Sequence, residues 1–124
     1  MSDERPTILF VDDEPHLLDG LRRNLRRNRD AWDMVFLDGG EAALEYMASN
    51  PVDAVVSDMR MPMVDGASVM AEAAHRHPRS IRIVLSGHTE QDLLLRAMGS
   101  THQFIPKPCE PDFLIDILHR LLNL

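Results

Sequence analysis

The chain has little of what marks several large protein classes. It contains one cysteine, Cys109, so no disulfide can close within it and no cysteine spacing exists for a zinc site. No apolar run approaches the ~20 residues that span a bilayer. The opening residues Met1-Ser2-Asp3-Glu4-Arg5-Pro6 are polar and partly acidic, unlike a signal peptide, and the cytoplasm is the expected location. No linker, internal repeat or low-complexity stretch interrupts the sequence. His16, His75, His77, His102 and His119 form no metal-ligand grouping and read as surface or packing residues.

What is present reads as one globular domain. The 124 residues suit a single core, and 44% hydrophobic with 27% charged residues is the balance of a soluble fold. A net charge of −7 argues against nucleic-acid binding by the chain itself. Arg22, Arg23, Arg26, Arg27 and Arg29 are a local exception. They crowd the end of the first helical segment and read as a solvated face complementing the helix dipole.

Short apolar runs alternate with helical patterns along the chain. Thr7 to Val11, Trp32 to Leu37, Val52 to Ser57, Ile81 to Leu85 and Gln103 to Ile105 are the predicted strands. Pro15 opens a helix with Leu17, Leu18, Leu21 and Leu25 at helical spacing. Further helices are predicted over Glu41 to Ala48, after a cap at Asp65, from Thr89 to about Met98, and from Pro111. The last is expected to bury Phe113, Leu114, Ile117, Leu118, Leu121 and Leu122. Strands alternating with helices imply a parallel sheet covered on both faces.

Ligands of such a sheet bind beyond the carboxyl ends of its strands. The residues there are Asp12-Asp13 with Glu14 after strand one, Asp58 after strand three, Ser86 after strand four and Lys107 after strand five. Singly, each has an ordinary reading as a turn, cap or loop residue. Jointly they describe a chemistry. Three carboxylates brought together repel unless a cation or shared proton relieves them, and an all-oxygen set favours Mg²⁺. A carboxylate beside that ion can attack a phosphoryl group. Lys107 supplies a positive charge, and Ser86 a hydroxyl, for the transferred oxygens.

These segments resemble the receiver domain of bacterial two-component response regulators, over about Thr7 to Leu122. The likeness is carried by Ile8-Leu9-Phe10-Val11-Asp12-Asp13-Glu14, by Val55-Val56-Ser57-Asp58-Met59-Arg60-Met61-Pro62 with Asp65-Gly66, by Val84-Leu85-Ser86-Gly87, and by Phe104-Ile105-Pro106-Lys107-Pro108. The resemblance implies a flavodoxin-like, doubly wound five-stranded parallel sheet, strand order 2-1-3-4-5, with five helices on both faces. It implies Asp58 as phosphoacceptor, and Asp13, Asp12, Asp58 and the Arg60 carbonyl as Mg²⁺ ligands. Ser86 and Phe104 match the switch pair, Lys107 the phosphate-contacting lysine, and the bond before Pro108 is expected to be cis. Ser stands at 86 for the commoner Thr and Phe at 104 for the commoner Tyr. Arg60 and His88 flank the site at positions that influence phosphoryl lifetime. The run Gln103 to Cys109 resembles receivers joined to metal-dependent phosphodiesterase-type or related output domains.

The expected function is therefore acceptance of a phosphoryl group from a histidine kinase or phosphotransfer protein, followed by a change of interaction surface. An output domain or a second receiver is the expected reader. The chain is expected to be a signalling domain rather than an enzyme, one domain over 1–124 with its core at about 7–122, set at the N-terminal part of a longer regulator. A phosphatase would want a second acid two residues past Asp58, where Arg60 stands. A nucleotide or flavin module would want a glycine-rich loop after strand one, where the acidic run stands. A receiver that is never phosphorylated is hard to square with the complete set Asp13, Asp58, Ser86 and Lys107.

Overall fold

The run Thr7-Ile8-Leu9-Phe10-Val11 lacks polar alternation because both of its faces are covered. In the computed structural model, which describes residues 5–87 and 91–122, it forms β1 (Thr7–Val11). β2 (Asp33–Leu37), β3 (Ala54–Asp58), β4 (Ile81–Ser86) and β5 (Gln103–Pro106) complete one sheet, ordered β2-β1-β3-β4-β5. Every pairing is parallel. The helices are α1 (Pro15–Asn24), α2 (Gly40–Ser49), α3 (Gly66–Arg76), α4 (Gln91–Ala97) and α5 (Pro111–Leu122).

The pleat divides the core in two. Leu9, Val11, Val55 and Val84 point toward Ala43 and Met47 of α2, Val69, Met70 and Ala73 of α3, and Leu93 and Ala97 of α4. Their strand neighbours Ile8, Phe10, Val56, Ile83 and Ile105 point the other way, onto Leu114, Ile115 and Leu118 of α5, with Leu21 of α1 alongside. This is the doubly wound arrangement expected from the alternation of strands and helices.

Register then lines up the strand ends. Val11 lies opposite Ser57, Asp58 opposite Leu85, and Ser86 opposite Pro106. Asp12, Asp58, Ser86 and Lys107 therefore leave four strands at one edge of the sheet.

Several local readings shift. Trp32 stands one residue ahead of β2, buried at 3% exposure. β3 begins at Ala54, not Val52, and takes in Asp58 itself. α4 ends at Ala97, and Gly99 falls inside a 3-10 turn, Met98–Ser100. On α5, Phe113 is 53% exposed while Ile115 is buried. A step of 100° per residue turns the apolar stripe past Phe113, which the run of apolar residues did not reveal. Leu17 of α1 is likewise exposed at 49%. Asp65 caps α3 as expected, accepting from the Ser68 N–H at 2.9 Å. Thr89 and His88 lie outside the described residues.

Candidate functional site

The chain leaves β1 into the site through a tight local turn. Asp12 is buried, and its Oδ1 accepts from the Glu14 N–H at 2.9 Å. Asp13 faces solvent. Asp58, at the end of β3, is 5% exposed. One carboxylate oxygen from each of Asp12, Asp13 and Asp58 lies within 4.8 Å of the others. The three acids named from strand ends do converge.

Burial, the charge of Asp58 and that of Asp13 all disfavour ionisation of Asp12, against the opposing Glu14 N–H and Lys107 ammonium. The balance pushes Asp12 up from 3.8 to about 6. Such crowding is what a bound cation relieves. The donors are all carboxylate oxygens, so the set fits a hard dication such as Mg²⁺ and offers nothing to a soft metal.

Lys107 completes the edge. Its Nζ forms an ion pair with Asp58 Oδ1. The backbone helps to hold it there, since the Lys107 N–H donates to the Ser86 carbonyl at 2.9 Å. The Lys107–Pro108 peptide bond is cis, as expected. Ser86 is 8% exposed at the end of β4, between Asp58 and Lys107 in strand order. Ser86 and Phe104 line one cavity of about 300 Å³ with Leu94, Met98 and Pro106. The hydroxyl and the aromatic ring named as a switch pair thus share a space.

Arg60 lies in the loop between β3 and α3. Its guanidinium turns outward toward Asp92 of α4, at 3.9 Å. Only its backbone is a candidate for the acidic site.

Gly66 is a residue whose contact with the site the sequence did not disclose. Its N–H donates to the Met59 carbonyl at 2.6 Å. A Cβ there would stand 2.4 Å from the Asp58 carbonyl oxygen and 2.8 Å from Met59 Cα. The first turn of α3 therefore packs directly on the backbone that carries Asp58. Asp65, beside it, also receives Arg96 of α4 at 2.8 Å. A glycine following a capping aspartate was the available signal, but a helix start alone does not say what it touches.

Comparison with known proteins agrees with this geometry. The family described as the response regulator receiver domain matches residues 8–119. The hydrogenase transcriptional regulatory protein HoxA of Cupriavidus necator is 33% identical over 99% of this chain and 25% of its own length. The C4-dicarboxylate transport transcriptional regulatory protein DctD of Pseudomonas aeruginosa is 30% identical over 98% of this chain and 26% of its own. The chain thus spans about a quarter of each regulator. The signal receiver domain of an HD domain-containing protein from Pseudomonas fluorescens Pf-5 superposes with a TM-score of 0.87. It is 28% identical and covers 97% of this chain and 96% of that one. With its sheet order, its acidic edge and these matches taken together, the chain belongs to the response regulator receiver family.

Proposed function

We propose that Asp58 accepts a phosphoryl group from a phosphohistidine on a sensor kinase or phosphotransfer protein. The observation that carries this reading is the Asp12, Asp13 and Asp58 cluster with Lys107 set against Asp58. Asp12, Asp13, Asp58 and the Arg60 carbonyl are the residues that would hold Mg²⁺. When bound, that ion offsets the charge of the carboxylates and of the incoming phosphoryl oxygens.

A carboxylate oxygen of Asp58 attacks phosphorus, the P–N bond to the donor imidazole breaks, and the imidazole leaves with its electron pair. The product is an acyl phosphate. Lys107 exchanges its partner, from the Asp58 carboxylate to a phosphoryl oxygen. Ser86 donates its hydroxyl to another. Attack of water on phosphorus later returns the Asp58 carboxylate and releases phosphate.

Readout follows from the shared cavity. As Ser86 is drawn to the phosphoryl group it vacates space beside Phe104, and the ring fills it. This biases a two-state equilibrium of the surface formed by α4, β5 and α5. Leu95, Met98 and Phe113 are exposed at 72%, 61% and 53% and give that surface apolar material for a partner. The domain would act over 1–124 as the N-terminal part of a longer regulator, in the cytoplasm. Among the described residues, no helix is long and apolar enough to cross a membrane.

Incubation with acetyl phosphate, with and without Mg²⁺, followed by intact-mass measurement, tests the assignment. A metal-dependent gain of one phosphoryl group, lost in Asp58→Asn, is expected. A gain of equal size in Asp58→Asn would overturn it.

A further inference from the structure

At the other end of the molecule six arginines meet around the finish of α1. Arg22 and Arg23 lie in its last turn, Arg26 and Arg27 in the 3-10 turn that follows, Arg29 just beyond, and Arg5 ahead of β1. A helix C-terminus carries roughly half a negative charge, and a cation or two in the last turn satisfies it. Further arginines around one hollow repel one another wherever they approach within the ~8 Å screening length of physiological salt. They gather on a chain whose net charge is −7.

Part of this charge is answered locally. Arg22 lies 3.6 Å from Asp19, and Arg27 pairs with Asp112 at 2.5 Å. Asp30 and Asp33 stand at the rim. Among the described residues, Arg23, Arg26 and Arg29 have no carboxylate within ion-pair distance. These three line a hollow of about 530 Å³. Arg26 and Arg29 also line a second, of about 370 Å³, with Arg5, Arg22, Trp32 and Phe36. Arg26 and Arg29 are common to both linings, so the two hollows adjoin at these side chains and make up an arginine-lined basin.

The basin is partly organised in advance. The Arg5 Nη1 donates to the Arg29 carbonyl at 2.6 Å. The Arg22 guanidinium carbon sits 5.0 Å from the centre of the Phe36 ring, itself stacked on Phe10. Guanidinium groups offer paired N–H donors in a plane, which fits phosphate oxygens two at a time.

We propose that this basin binds a small anion carrying two or more phosphate groups. Arg23, Arg26 and Arg29 supply the forks, and the planar guanidinium of Arg22, held over the Phe36 ring, offers a surface against which a nucleobase can stack. The chemistry is shared by inorganic diphosphate and by a nucleoside diphosphate. The site is remote from Asp58, and the inference does not depend on the phosphoryl chemistry proposed above.

Calorimetric titration in magnesium-free buffer tests it, with inorganic diphosphate and ADP as probes. Saturable binding at one site is expected, weakened about tenfold or more in Arg26→Gln/Arg29→Gln. Binding should be unchanged in Arg76→Gln/Arg79→Gln, at the end of α3 and in the turn that follows it, on the opposite face. Arg26→Lys/Arg29→Lys keeps the charge and is expected to lose affinity several-fold, because the forks are gone. ADP binding tighter than diphosphate would assign the nucleotide as the source, and equal affinity would assign the diphosphate group alone. The proposal is overturned if neither probe saturates or if both variants at 26 and 29 bind as the wild type does. It is also overturned if duplex DNA binds through the same arginines more tightly than either probe, which would make the partner a nucleic acid.

Discussion

Asp58 ends β3 and Lys107 directly follows β5, two strands that are not neighbours, and their ion pair spans the end of β4 between them. Ser86, the last residue of that intervening strand, accepts the Lys107 N–H on its carbonyl. Any group seated between Asp58 and Lys107 is therefore within the neighbourhood of Ser86 as well. Lys107→Gln leaves Asp58 buried with a neutral neighbour. It is expected to lower the unfolding free energy by about 1–3 kcal/mol, as read by urea denaturation. It should also slow the gain of mass from acetyl phosphate.

Asp12 gives a prediction of opposite sign. Its charged form is disfavoured in the fold, since its pKa stands near 6 against 3.8. In metal-free buffer near pH 7.5, Asp12→Asn is expected to stabilise the protein by on the order of 1–3 kcal/mol. Mg²⁺ should raise the Tm of the wild type and raise that of the variant much less. A variant less stable than wild type without metal would contradict the account of crowding.

Gly66→Ala places a methyl group against backbone that cannot step aside. A loss of about 1–3 kcal/mol is expected from the overpacking. Phosphorylation should slow in the same variant, because the displaced atoms are the carbonyl of Asp58 and the Cα of Met59. Comparing denaturation midpoints with initial rates of mass gain checks both.

Met63 sits in the loop between Asp58 and α3 with φ of 70° and 88% of its surface exposed. The left-handed conformation costs a side chain about 1–2 kcal/mol. Glycine removes that cost but adds about 0.5–1 kcal/mol of chain entropy to the unfolded state. Met63→Gly is expected to stabilise by a net of roughly 0.5 kcal/mol, seen as a rise in the denaturation midpoint.

His102 makes stability depend on pH. Its Nδ1 accepts the Arg82 N–H at 3.0 Å, a bond the protonated ring cannot accept. Burial, followed by the Arg82 charge, holds its pKa below 6.5. The unfolded chain thus takes up the proton more readily. The contribution is present above the ordinary histidine pKa and is lost as pH falls through the lower folded value. Thermal scans from about pH 7.5 to about pH 5 should show a decline that is shallower in His102→Asn. Identical slopes would rule the bond out as a source.

Much of the site was legible because of where buried strands stop. An apolar run such as Ile8 to Val11 ends where the sheet ends, so the polar residues that follow lie on the edge where ligands bind. Asp12, Asp58, Ser86 and Lys107 could be placed in this way without knowing any distance. Helix faces were harder to read. Phe113 and Ile115 are both apolar, and which one turns inward depends on the tilt of α5 against the sheet. Gly66, Asp65 and Arg96 were invisible as partners, because contacts between a loop and two helices leave no periodic trace. The space shared by Ser86 and Phe104 also required the fold, since those residues lie on adjacent strands eighteen positions apart in the chain.

Lys107 is the chain's one lysine, against twelve arginines. The ammonium that meets Asp58 is therefore singular in chemistry as well as in position. A lysine-selective isotope label gives one side-chain signal, and an amine-directed reagent finds one target apart from the chain's own α-amino group. The residue at the centre of the proposed reaction carries its own reporter, with no need to introduce a foreign probe.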